Sequence, residues 1–128
     1  MRRTVRTGAV IVLLGFLAGC QAAPDSPLLT ARPAQTQMAA ALSGTISRTA
    51  DGCYLLDDLP LVWPNGSTLN GDKIRLADGR EFAVGSTVSG GGGFVSTGDV
   101  AVVLDEASKP KAATCLGSGE VAVLQSIR

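Results

Sequence analysis

From about Leu42 onward the chain never sustains the 3.6-residue periodicity of a substantial helix; short β-favouring runs alternate with turns of Gly, Asp and Asn. Leu42–Arg48 alternates with period two, Ala50-Asp51-Gly52 supplies a turn, and Cys53-Tyr54-Leu55-Leu56 resumes as a strand. Lys73-Ile74-Arg75-Leu76, the turn Ala77-Asp78-Gly79-Arg80 and Glu81-Phe82-Ala83-Val84 repeat the arrangement. The Asp-Gly pairs are strong hairpin signals, because such turns need positive φ and Gly adopts it without steric cost. Val100–Leu104 and Glu120–Leu124 read as two buried strands. Six or seven strands in about 87 residues predict an all-β fold, a small antiparallel barrel or sandwich over 42–128.

A chain of 128 residues has room for one such domain. It contains no His, which excludes serine–histidine–aspartate triads, histidine proton shuttles and His-ligated zinc. Eleven basic residues balance eleven acidic ones, so nothing points to nucleic acid as a partner.

The first twenty residues have a separate purpose. Arg2, Arg3 and Arg6 precede an uncharged apolar run, Gly8–Gly19, whose twelve residues would span roughly 18 Å as a helix. That is short of a hydrocarbon core of about 30 Å and suits the apolar region of a secretory signal peptide. Leu17-Ala18-Gly19-Cys20 resembles the lipobox of bacterial lipoproteins. The resemblance implies a signal peptide over 1–19, cleavage before Cys20, diacylglycerol on the Cys20 sulfur and often an acylated new amine. The implied location is the extracytoplasmic side of the envelope, the outer membrane if the cell has two membranes and otherwise the cell membrane. Gln21 is not the Asp associated with inner-membrane retention. Removing Arg2, Arg3 and Arg6 leaves eight basic residues against eleven acidic ones, a net charge of −3. Residues 20–41 contain three Pro and no aromatic, a composition expected to form a flexible tether behind the lipidated N-terminus.

Two Cys remain beyond Cys20, and an oxidising compartment makes a Cys53–Cys115 disulfide the expected pairing. A Gly in the first strand, an Asp-Gly turn into the second, and then Gly79-Arg80-Glu81-Phe82-Ala83-Val84-Gly85-Ser86-Thr87-Val88-Ser89-Gly90 together resemble a small OB-type barrel in strand rhythm.

Motifs for chemistry are sparse. Gly90-Gly91-Gly92-Gly93 is followed by Phe94-Val95-Ser96-Thr97, without the Lys and helix start of a phosphate cradle, and reads as a flexible loop or bulge able to serve as a contact surface. Asp57, Asp58, Asp72, Asp78 and Glu81 are solvated turn and strand-edge charges that match no calcium loop. Ser108-Lys109-Pro110-Lys111 has the S-x-x-K spacing, but it is expected in a loop and lacks the partner motifs. Asn65-Gly66-Ser67 matches a glycosylation sequon that a bacterial lipobox makes irrelevant. Trp63 stands at an apparent strand end before a turn, readable as a core aromatic or as a stacking platform.

Neither an enzyme nor a cofactor is expected. The reading is a membrane-anchored, non-catalytic binding or scaffolding module, attached through acyl chains on Cys20 and contacting an envelope protein. Its contact residues would be Trp63, Tyr54, Gly91, Gly92 and Phe94. The alternative is an oligosaccharide- or peptidoglycan-binding domain, ahead of a carboxylate-dependent envelope enzyme.

Overall fold

The computed structural model describes residues 28–33 and 37–128; the expected signal peptide, the lipobox-like Leu17-Ala18-Gly19-Cys20 and the expected acylation site at Cys20 lie outside them. The described strands are β1 (Leu29–Thr30), β2 (Ala40–Arg48), β3 (Tyr54–Leu56), β4 (Leu59–Trp63), β5 (Thr68–Asn70), β6 (Lys73–Arg75), β7 (Glu81–Phe82), β8 (Thr87–Ser96) and β9 (Glu120–Ile127). A 3₁₀ turn at Val100–Val102 and a short helix α1 (Lys109–Cys115) lie between β8 and β9.

The architecture is a closed barrel. β2, β3 and β4 form an antiparallel meander, β8 returns beside β2, and β9 pairs with β8. β9 then runs parallel to β4, Leu61 opposite Ala122 and Val62 opposite Val123, which completes five strands. β5, β6 and β7 form a separate antiparallel meander in the β4–β8 connection. Both Asp-Gly turns have the expected geometry, with Gly52 at φ 87° and Gly79 at φ 93°.

Side-chain alternation divides the apolar residues between two cores. Ala122 and Leu124 of β9 point into the barrel with Leu61 and Trp63 of β4, Leu42 and Ile46 of β2, and Ile74 and Leu76 of the small meander. Val121 and Val123, one residue out of phase, face outward with Val62. There they are covered by Leu29, Ala31, Val100 and Leu104. This is why four consecutive β9 residues are buried, where a strand with one wet face would alternate.

That outer core corrects three expectations. The flexible tether does not extend to residue 41: Leu28, Leu29, Thr30 and Ala31 are buried, β1 lies parallel on β4, and β2 already begins at Ala40. At the end of a Pro-rich segment, Leu28 joins the inner core and Leu29 the outer one. Val100–Leu104 is not a strand; Val100 and Leu104 are buried one helical turn apart, and Val102 is 62% exposed. Ser108 does not lie in a simple loop but immediately precedes α1, with Pro110 in the helix's first turn, where no amide donor is needed.

The glycine run is likewise not a flexible loop. Gly90–Gly93 lie inside β8, with β9 along one side and β2 partnering Gly90, Gly91 and Gly92 on the other. The bulge reading holds in position: the register shifts between Gly91 and Gly92, skipping Gln125 opposite. A methyl group at Gly90 would overlap the Ser126 carbonyl, and one at Gly92 the Val123 carbonyl. The two strands approach too closely there for any side chain. Gly91 points the other way and would meet only the Ser126 hydroxyl, at 3.1 Å.

Cys53 and Cys115 form the expected disulfide, with Cα atoms 5.4 Å apart. It ties the β2–β3 loop to the end of α1 and so holds the 97–119 excursion over the outer core.

Two stability predictions follow from these contacts. Gly92→Ala should cost about 3 kcal/mol in chemical denaturation, while Gly91→Ala should stay within about 1 kcal/mol of the parent. Cys53→Ser should lower the melting temperature by more than about ten degrees, since a bridge closing a 62-residue separation contributes roughly 4 kcal/mol.

Candidate functional site

Most of the expected contact residues are inside the protein. Trp63 is 0% exposed and Tyr54 is 4% exposed, their rings meeting edge to face at 6.3 Å. Trp63 follows Leu61 on the inward phase of β4, so its indole fills the barrel and offers no face to a sugar or peptide. The Arg48 guanidinium covers Tyr54 at 5.6 Å from the ring centre. Gly91 and Gly92 belong to the barrel wall and form no loop surface. Phe94 alone among these residues is open to solvent, at 49% exposure.

The acidic candidates do not converge into one site. Asp78 pairs with Arg80 at 2.8 Å, and the Arg80 backbone N–H and guanidinium together hold its carboxyl below the ordinary range. Glu81 accepts the Asn70 amide at 2.7 Å, which lowers its pKa, with Arg75 adding a weaker attraction at 3.7 Å. Asp58 and Asp72 are exposed turn residues.

Asp57 differs from all of these. It lies in the β3–β4 turn at φ 51°, the single non-Gly residue with positive φ among the described residues. Its N–H donates to the Thr45 carbonyl at 2.9 Å, and its Oδ1 accepts the Thr45 N–H, also at 2.9 Å. The carboxylate is thereby laid across β2 above Gly44. A Cβ at Gly44 would stand 2.7 Å from Asp57 Oδ2, so the glycine makes the room. Among the described residues nothing donates a hydrogen bond to Oδ2.

Around this carboxylate the barrel has a mouth. Leu42 and Leu56 are buried side chains of the interior, and Leu59 packs at their edge. Phe94 follows Gly92 on the inward phase of β8 but stands beyond Ala40–Gly92, the last pairing of β8 with β2. These residues, with Ala41, Ser43 and Asp57, line a cavity of about 260 Å³. Barrel mouths are common ligand positions because strand ends expose apolar interior beside polar turns.

A second cavity of about 260 Å³ lies between the small meander and the end of β9, lined in part by Asn65, Arg80, Gln125 and Ser126. Its polar groups are engaged within the protein. Arg80 bonds Asp78 and the Ile127 carbonyl, Asn65 the Ala31 carbonyl, Gln125 the Met38 N–H, and Ser126 the Gly91 N–H. The mouth is therefore the better candidate.

A polar cluster fastens β1. The Thr30 N–H donates to Ser108 Oγ at 2.9 Å, the Thr30 hydroxyl donates to Asp105, and the Ser108 N–H reaches Asp105 Oδ1 at 2.8 Å. Thr30 and Ser108 are both buried. The S-x-x-K serine is thus held in a structural knot. Partial burial pushes the Asp105 carboxyl upward, but hydrogen bonds from Thr30 and Ser108, aided by Lys111, outweigh it and leave the pKa below 3.8. A depressed carboxyl contributes its stability above the ordinary value and loses it as pH falls through the lower folded value. Asp105→Asn should lower the melting temperature at pH 7 by roughly 5 °C and make its decline between pH 5 and pH 2 shallower, as followed by circular dichroism.

Leu42, Leu56 and Leu59 are mouth residues that sequence reasoning did not single out, and Asp57 was weighed there only as a solvated turn charge. Their available signal was a glycine in the middle of an alternating strand, Gly44, followed by an Asp-Asp turn. Comparison with protein-family models, curated proteins and solved structures finds no match, so function is argued from this geometry.

Proposed function

We propose that the chain is an exported, lipid-anchored envelope protein whose single barrel is a non-catalytic binding module, presenting the mouth at Asp57 and Phe94 to an envelope partner. The observation that carries this reading is the Cys53–Cys115 bridge. It suits an oxidising compartment and consumes both cysteines of the domain, leaving Cys20, behind Leu17-Ala18-Gly19, as the odd thiol that acylation would use. Two acyl chains on Cys20 provide stable membrane attachment. An OB-type relationship is supported by the connectivity: a three-stranded meander, a fourth strand returning beside the first, and a fifth parallel to the third.

The docking of β1 bears on where such a module works. Seven residues, 21–27, separate the anchoring cysteine from Leu28, eight Cα steps with a reach of at most about 29 Å when fully extended. A partner for the barrel would then lie close to the bilayer surface. The glycan-binding alternative loses its stacking platform with the burial of Trp63.

Metabolic labelling of expressing bacteria with an alkyne fatty acid should tag the protein and place it in the membrane fraction. Cys20→Ser should abolish the tag and release the chain. Labelling that persists in Cys20→Ser would overturn the anchor.

A further inference from the structure

We propose that the barrel mouth binds an ammonium or guanidinium group carried on an apolar stem. This rests on reading the mouth as the contact surface and specifies its ligand.

Three features of the mouth converge. Its floor is apolar, formed by Leu42, Leu56 and Leu59. Its wall includes the half-exposed ring of Phe94, whose negative π face attracts cations. Its rim holds one charge, the Asp57 carboxylate, and no basic side chain lines the cavity to neutralise it. With Oδ1 held by Thr45 and Oδ2 without a donor, the carboxylate is oriented and has acceptor capacity to spare. A volume of about 260 Å³ is below the roughly 300–1,000 Å³ typical of drug-sized ligands and matches a single long side chain.

The fold does not require this charge. A left-handed turn position is served by Gly or Asn, and Asn would accept the same hydrogen bond from Thr45. A strand interior is weakened by a glycine, yet Gly44 occupies one where it admits the carboxylate. Two locally unfavourable choices, one on β2 and one in the β3–β4 turn, thus place a negative charge at the edge of an apolar opening. Sparsely populated backbone conformations gather at ligand sites for this kind of reason. The net charge of −3 remaining without the leader arginines favours the approach of a cation.

The test is a nuclear magnetic resonance titration of the ¹⁵N-labelled full chain in a nonionic detergent, with n-butylammonium, n-butanol and n-butyrate as probes. Butylammonium should shift the amides of Ser43, Asp57, Leu59 and Phe94 saturably, with an affinity at least about tenfold above butanol. Butyrate should leave them unmoved. Asp57→Asn should bring butylammonium down to the butanol level while resonances far from the mouth stay in place. Phe94→Leu should weaken it several-fold, and this variant decides the matter if Asp57→Asn misfolds. N-acetyl-lysine methylamide distinguishes the sources: binding as tight as butylammonium indicates a side chain of a partner polypeptide, and absence of binding a free amine. Unchanged affinity in Asp57→Asn, or butanol binding equally well, would overturn the cation site and leave an apolar contact surface. No shift at the mouth with any probe would remove both the cation site and the mouth as contact surface, whatever the outcome of the acylation experiment.

Discussion

The close approach of β8 and β9 at Gly90 and Gly92 is the constraint on which the barrel depends. At both positions the partner strand's carbonyl occupies the space a Cβ would need, so only a chain without side chains can pass. The accompanying register shift sets Gly91 opposite Ser126 and Gly92 opposite Leu124 and bends the ladder. That irregularity is useful: Gln125 accepts the Met38 N–H and thereby helps position the approach to β2. The bulge curves β8, and the mouth opens beyond Gly92, where the pairing of β8 with β2 ends.

The two cores show how a chain with few aromatics achieves burial. The interior is filled by Leu, Ile and one Tyr–Trp pair, and the small meander contributes Ile74 and Leu76. Outside the wall, the disulfide and the Thr30–Asp105–Ser108 knot hold a second layer on Val62, Val121 and Val123. Neither layer is large. A small domain compensates by covalent and hydrogen-bonded fastening at the edge of its hydrophobic surface.

Much of the barrel was legible because its signals are local. Alternation in Leu42–Arg48, the Asp-Gly turns and the Glu120–Leu124 run each name an element without reference to distant residues. The misreadings share the opposite property. Val100–Leu104 is apolar on account of a core that exists only when β1 and β9 are brought beside it, so its composition gives no period. Leu28–Ala31 looks like linker until β4 supplies an edge. Gly90–Gly93 reads as mobile because the reason for two of the glycines, Gly90 and Gly92, is a pair of carbonyls on another strand about thirty residues further along the chain. Trp63 was ambiguous for the same cause: whether its side of β4 faces inward depends on closure. Asp57 was visible only as a charge, and its left-handed backbone and its support by Thr45 are products of the hairpin geometry.

The position of β9 in the chain has a consequence for the order of assembly. β9 follows every other described strand, yet it is the element that bridges β8 to β4. Until residue 127 has been made, the meander and β8 form an open sheet with two unpaired edges, and Val121 and Val123 are missing from beneath β1. Cys115 likewise becomes available only shortly before, 62 residues after its partner. The domain therefore acquires its closure, its second core and its covalent tie almost together. Closure of the barrel therefore rests on pairings between residues far apart in the chain, a topology that disfavours rapid folding.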